Sequence, residues 1–390
     1  MKIKICFVSG SRADYGIASR LLKKLKESRK FNLSLIASCM HLSPKYGNTF
    51  KEIENDGFKI TKKVFLPLNS NTKKNFSISA GTALIKFSKI IDTINPDILL
   101  LVGDRYETFA AAFTSLVYNI PIAHIHGGEL TLSAIDDSIR HSITKMSSIH
   151  FVSHQDYGRR VKQLGENPKN VHTVGSLGVE NINKIKFYNK KDVERKINLS
   201  FNKNNFLVTL HPETINRKYL EKVLPKIIKQ LEKIKDTNIV FTSPNSDPGN
   251  LLIKNIIKKT CKLNKDRFIF VKSMGQKLYF SYLKYCNLVI GNSSSGIIEV
   301  PSFRIPTINI GLRQQGRIRC KSILDINYDH KLFNKFLKKA LSKNYTNKLK
   351  KLKSPYFQKN TSNQIIRILS KKNFNEKELI KKKFHDIKKI

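Results

Sequence analysis

Short, nearly continuous apolar runs alternate with amphipathic stretches along most of this 390-residue chain. In the first half the runs are KICFVS, LSLIAS, KITKKVFL, DILLLVG, IPIAHIH, SIHFVS and VHTVGS. In the second they are FLVTLH, NIVFTS, RFIFVK, LVIGNS and PTINIG. Runs of this length and apolarity predict strands buried in a parallel sheet. Between the first-half runs, apolar residues recur at helical spacing near 15–29, 77–94, 106–118, 135–147 and 154–164. Strand and helix in alternation predict an α/β protein, and a chain of this length predicts two domains.

The boundary falls in NKIKFYNKKDVERKINLSFNKNN, polar and poor in glycine, read as a short helical connection. The expected domains are 1–180 and 200–355, followed by a lysine-rich helical segment over 356–390 with no strand of comparable strength after about 320. Asn95-Pro96 stops a helix just before a strand, and Pro225 predicts a kink inside another helix.

The formal net charge of +43 raises a polyanion-binding reading. Its distribution argues against it: residues 101–150 hold 3 Lys/Arg against 5 Asp/Glu, and residues 321–390 hold 20 against 5. The excess reads as solvated lysine faces, and no specific nucleic-acid signature accompanies it. Five widely spaced cysteines without a C-x-x-C pair imply reduced thiols in a cytoplasm. The start MKIKICFVSGSRAD is interrupted too early for a signal-peptide core, and no run approaches a membrane span. A cytoplasmic protein without membrane contact is expected.

The candidate chemistry lies where the apolar runs end, the place where open parallel sheets bind ligands. Ser9-Gly10-Ser11-Arg12-Ala13-Asp14 joins the first run to a helix; its N–H groups and Arg12 suit an anion, or Ser11 or Asp14 simply caps the helix. Asp104 in GDR can act as a base or orient a sugar hydroxyl, or it is an ion pair with Arg105 or another arginine. In HIHGGE, alternation predicts that His124 and His126 point the same way, followed by two glycines and Glu129. That pair reads as catalytic or sugar-contacting; the alternatives are structural hydrogen bonding and a metal site, though no third ligand is evident. Asp136 and Asp137 open a helix, where one carboxylate complements the dipole and two side by side can divide acid and base roles.

In the second half, His211 follows FLVTL, and Asn292-Ser293-Ser294-Ser295-Gly296 follows LVIG with Glu299 shortly after. That turn suits a diphosphate, and Arg313 and Arg317 add counter-charge. Neither a P-loop nor G-x-G-x-x-G is present.

Taken in order, GSRADYG, MHLSPKYGNT, GDRYE, HIHGGE, IDDSIRHSITKMS, GSLGVEN, HPET, GNSSSGIIEVPS and INIGLRQQGR resemble the hydrolysing UDP-N-acetylglucosamine 2-epimerases, from about residue 3 to 320. The bacterial branch that supplies N-acetylmannosamine for sialic acid is the nearer match; cousins acting on diacetamido sugars tend to read HIEGGE and HPVT. The resemblance implies two Rossmann-like domains with a cleft between them, the glycosyltransferase-B-like arrangement. It implies acid/base roles for Asp104, Glu129 and Asp136 or Asp137, with His211 essential. It implies UDP held by Ser293, Ser294, Glu299 and Arg313, with Arg12 reaching across from the first domain. His41, His126 and Asn245 are expected to contact substrate. UDP leaves by elimination across C1–C2 and water then adds, so no metal or other cofactor is implied. A homo-oligomer, dimer or tetramer, is expected, and no kinase activity.

Rival readings remain: a UDP-sugar glycosyltransferase of the same fold, a non-hydrolysing epimerase, and a hydrolysing epimerase acting on UDP- or GDP-N,N'-diacetylbacillosamine for legionaminic acid synthesis.

Overall fold

Every apolar run named above forms a strand. The computed structural model describes residues 2–68, 72–132, 134–213, 217–245, 247, 249–327, 329–374 and 377–387, excepting the side chains of 217–220, 377 and 378. It divides into two units, one of residues 1–129, 136–181 and 356–390, the other of 130–135 and 182–355.

The first unit holds a seven-stranded parallel sheet. Its strands are β1 (Ile3–Ser9), β2 (Phe31–Ser38), β3 (Lys62–Val64), β4 (Ile98–Val102), β5 (Ile122–Ile125), β6 (Ile149–Val152) and β7 (Val171–Thr173). Their order is β3-β2-β1-β4-β5-β6-β7. Alternate residues serve opposite faces: Ile5 and Phe7 join one core with Leu21 and Leu35, whereas Cys6 and Val8 join another with Phe87 and Leu101. Both faces are therefore dry, which is why these strands read as unbroken apolar runs.

The second unit repeats the plan with β8 (Asn204–Thr209), β9 (Thr237–Thr242), β10 (Phe268–Val271), β11 (Leu288–Gly291), β12 (Thr307–Asn309) and β13 (Ile323–Asp325). The order is β10-β9-β8-β11-β12-β13, again parallel throughout. The short β13 lies beyond the point where the sequence reading expects its last strand. Only Leu324 of its three residues is buried, so its apolar signal is weak. Pro225 lies inside the helix Arg217–Glu232.

The helix Lys73–Ile94 starts with Thr72 Oγ1 accepting from Asn75 N and ends at Asn95 in the left-handed region, just before Pro96. The expected helical connection is the helix Lys190–Ile197, which belongs to the second unit.

Residues 356–390, expected as a separate segment, pack into the first unit. Ile365 and Leu369 are fully buried in its core, each contributing roughly 1.5–3 kcal/mol. Lys382, in a stretch read as solvated charge, is half-buried. Its Nζ donates to the carbonyls of Lys145 and Ser147 at 2.6 Å and pairs with Glu166 at 2.7 Å. Those carbonyls stand at the C-terminal end of the helix Asp136–Met146, so the cation satisfies orphan acceptors there. Among the described residues no helix is long and apolar enough to cross a membrane.

Candidate active site

In each sheet the strand order reverses beside one central pair, β1/β4 in the first and β8/β11 in the second. The crevice outside such a switch point is the ligand position of open parallel sheets. The predicted residues lie beyond the C-terminal ends of these strands and of their neighbours β2, β5, β9 and β12.

At the end of β1, the helix Arg12–Glu27 begins with half-buried Arg12. The N–H groups of Gly10 and Ser11 both donate to Asp14 Oδ2, at 3.2 and 3.0 Å. This turn is therefore capped by its own carboxylate. Burial, then the nearby charge of Glu107, pushes Asp14 up to about 7. Glu107 is fully buried and pairs with Arg105 Nε at 2.9 Å. It also explains Gly10: a Cβ there would lie 1.9 Å from Glu107 Oε1.

His41, expected to contact substrate, is fully buried, with Nε2 2.9 Å from Ser9 Oγ and Nδ1 2.9 Å from Thr49 Oγ1. Burial lowers it to about 4, so it stands as a neutral brace behind the first turn.

Arg140 donates to the Asp104 carboxylate. The partner is thus a distant arginine, not Arg105. Asp136 and Asp137 are the first two residues of the helix that carries Arg140; Asp136 is buried, and Asp137 Oδ2 lies 3.6 Å from His141 Nε2.

The two histidines of HIHGGE do not point alike. β5 ends at Ile125, and His126 adopts φ +68°, a left-handed conformation that breaks the strand alternation. His124 is fully buried, its Nε2 donating to Gly103 O at 2.7 Å and its Nδ1 accepting from Thr144 Oγ1 at 3.2 Å. Burial drives it down to about 3, and it serves as structure. His126 instead bonds through Nδ1 to Glu129 Oε1 at 2.6 Å, and Ser153 Oγ donates to the same oxygen at 2.8 Å. Glu129 is 2% exposed. Among the described residues no three His, Cys, Asp or Glu side chains form a metal-ligand group.

In the second unit, His211 N donates to Asn292 Oδ1 at 2.7 Å and Asn292 Nδ2 donates to His211 O at 2.9 Å, tying the ends of β8 and β11 together. His211 Nδ1 accepts from Asn245 N at 3.1 Å. The ring's proton therefore sits on Nε2 while it is neutral. Ser293 caps the short helix Ser294–Ile298, accepting from Ser295 N, and Glu299 follows directly and is buried. Gly291 allows this turn its close approach: a Cβ would lie 1.8 Å from Thr209 O.

Arg313 is buried, with Nε unpartnered among the described residues. Its loop is held by Glu213, fully buried, whose Oε1 accepts from Leu312 N at 3.1 Å and Arg313 N at 3.3 Å. Gln314 Nε2 adds a bond to Asn292 O at 2.8 Å. Arg317 turns toward residues of its own unit, donating to Leu130 O at 3.0 Å and Thr131 Oγ1 at 3.3 Å. Thr214, from the same HPET motif as His211, lies outside the described residues.

The sequence reading assigns no role to Glu213, Ser153 or Arg140. Their available signals are position alone: Glu213 and Ser153 follow strands, and Arg140 stands one helical turn after Asp136.

The family profile described as UDP-N-acetylglucosamine 2-epimerase matches residues 23–370. The GDP/UDP-N,N'-diacetylbacillosamine 2-epimerase (hydrolyzing) of Campylobacter jejuni is 41% identical over 345 residues, covering 88% of this chain and 90% of its own. The polysialic acid biosynthesis protein P7 of Escherichia coli is 37% identical over 386 residues, covering 99% and 96%. The Staphylococcus aureus MnaA–UDP co-structure superposes with a TM-score of 0.79 at 16% identity, over 95% of this chain and 96% of that one, and its likeness is one of fold, glycosyltransferase-B-like. With its profile, two full-length relatives and paired parallel sheets in agreement, this chain belongs to the UDP-N-acetylglucosamine 2-epimerase family and is an enzyme of it.

Proposed function

We propose that this enzyme is a hydrolysing 2-epimerase that converts UDP-N-acetylglucosamine to N-acetylmannosamine and UDP, feeding sialic acid (nonulosonate) biosynthesis. The observation that carries this reading is likeness along 99% of the chain to a protein named for polysialic acid biosynthesis. A base takes the C2 proton, the C–H electron pair becomes the C1–C2 double bond, and the C1–O pair leaves with UDP. Water then adds at C1 and a proton returns to C2 on the opposite face. Asp104, Glu129, Asp136, Asp137 and His211 supply the acid/base groups; Asp104 is in a part-buried pair with Arg140 and Glu129 in a buried pair with His126. Ser293, Ser294, Glu299 and Arg313 form the diphosphate and ribose seat, with Arg12, His126 and Asn245 contacting substrate. The bound UDP of the Staphylococcus aureus structure supports a UDP-sugar as substrate class. A cytoplasmic homo-oligomer is part of the reading.

A second reading takes N,N'-diacetylbacillosamine nucleotides as substrate, favoured by the 41% identity to the Campylobacter jejuni enzyme so named. Product analysis by NMR decides. Incubation with UDP-N-acetylglucosamine alone yields free N-acetylmannosamine and UDP under the first reading. Turnover confined to the diacetamido nucleotides establishes the second, and release of UDP-N-acetylmannosamine would make the enzyme non-hydrolysing.

A further inference from the structure

We propose that His126 is the residue that takes the C2 proton and that Glu129 acts through it as a positioning residue. This rests on the elimination reading above, assigns its base, and moves Glu129 from the acid/base set to the place behind that base.

Four buried histidines of the first unit, His41, His124, His126 and His150, allow an internal comparison. His41 and His124 each use both ring nitrogens in hydrogen bonds, as structural histidines do. His126 and His150 each use one. In His126, Nδ1 lies 2.6 Å from Glu129 Oε1, and Nε2 is shielded from solvent without a hydrogen-bond partner among the described residues. An ionised carboxylate only accepts, so in the neutral ring Nδ1 carries the proton and Nε2 presents a bare lone pair. A buried acceptor left without a partner is costly and calls for an explanation such as a catalytic role.

The backbone shows the same bias. His126 holds a left-handed φ of +68° at the exit of β5, a conformation a side-chain-bearing residue keeps only when its surroundings impose it. They do so here: a Cβ on Gly127 would lie 2.9 Å from Thr144 Oγ1, and one on Gly128 2.4 Å from Tyr157 O. The turn is thus seated directly on its neighbours, and Arg160 donates to Gly128 O. His124 links the same turn to Gly103, the residue before Asp104. Ser153 Oγ, donating to Glu129 Oε1 at 2.8 Å, fixes the carboxylate behind the ring.

Carboxylate, imidazole and a bare Nε2 in sequence form the activated-base arrangement of nucleophilic and acid–base enzymes. In the reaction, Nε2 takes the C2 proton while the C1–O bond breaks toward UDP. The ring becomes an imidazolium stabilised by Glu129, and it later releases that proton to solvent. The proton that completes the epimer comes from a second acid on the other face.

The experiment compares wild type, His126→Gln, Glu129→Gln and the double variant on the nucleotide sugar that wild type turns over, with UDP affinity as the check on folding. His126→Gln should lower kcat by about 10²–10⁴-fold with UDP affinity retained. Glu129→Gln should lower it less, and the double variant no further than His126→Gln alone, because the two act as one unit. Glu129 and Arg160 are the charged groups bonded to this turn. Removing the carboxylate destabilises the imidazolium, so the acid limb of kcat/KM should move to lower pH in Glu129→Gln. If Glu129 were itself the base, that limb would vanish. Multiplying losses, a vanished limb, or more than a tenth of wild-type kcat in His126→Gln overturns the assignment. A wild type that releases no UDP from any of these sugars overturns the function reading first.

Discussion

Arg140 Nη2 donates to Asp104 Oδ2, joining the helix that begins with Asp136 to the turn after β4. Arg140 is 3% exposed and Asp104 19% in their side chains, so the pair is largely withdrawn from water. Arg140 Nε and Nη1 are buried without partners among the described residues, and Asp104 is the counter-charge bonded to Nη2. Asp104→Asn should then cost both function and stability. Stability should fall by about 3–5 kcal/mol, as when one partner of a buried pair is removed. In a cycle with Arg140→Met, the double variant should recover part of that loss in denaturant titrations. Retention of more than about a tenth of wild-type kcat in Asp104→Asn would remove it from the acid/base set.

Stability should fall on acidification between about pH 6.5 and 4. His41 is lowered to about 4 and His124 to about 3, mainly by burial. Below their unfolded values near 6.5 the unfolded chain binds protons that the folded one refuses, so folding loses ground as pH drops. Asp14 runs the other way. Raised to about 7, it favours the fold while protonated and loses that contribution as pH rises from about 3.8 to 7. Asp14→Asn removes this opposing slope, and thermal melts across this window should show a steeper pH dependence than wild type. An unchanged slope would mean Asp14 titrates alike in both states.

Nucleotide affinity should depend on a residue that holds the arginine loop from behind. Arg313→Ala should weaken UDP binding by about 10–100-fold, the range of a charge-assisted bond, and Ser294→Ala by less. Glu213→Ala should weaken it as well, because Glu213 holds the backbone of Leu312 and Arg313. Calorimetry showing unchanged UDP affinity in all three would place the nucleotide elsewhere.

Run in D₂O, the reaction should give N-acetylmannosamine carrying deuterium at C2. The side-chain bases proposed here exchange with solvent, and no hydride-carrying motif accompanies them. Product with protium at C2 would falsify elimination and hydration for this enzyme.

The architecture was legible because both faces of each sheet are covered. Ile5 and Cys6 enter different cores, so neither position can be polar, and the strand shows as a continuous run. The site was legible by strand ends, because parallel strands bring their C-terminal turns to one edge. Pairings were not legible. Nothing local distinguishes His41, with two hydroxyl partners, from His126, with a carboxylate on one side only. The left-handed turn at His126 was hidden too, since the alternation of HIH reads as strand to its last residue. The membership of 130–135 in the second unit and of 356–390 in the first is set by long-range packing, which leaves no periodic trace.

That last placement bears on how the protein is made. The first unit is discontinuous: 174 residues of the second, from 182 to 355, are translated before residues 356–390 exist. At about 5–20 residues per second, its opening segment waits roughly 10–40 s on the ribosome for Ile365, Leu369 and Lys382. During that interval apolar surface near Leu21, Leu22 and Leu25 lacks its final cover. The second unit can complete itself first, so the usual N-to-C order of domain maturation is inverted. Until residues 356–390 follow, the nascent chain carries an N-terminal sheet still open on one face.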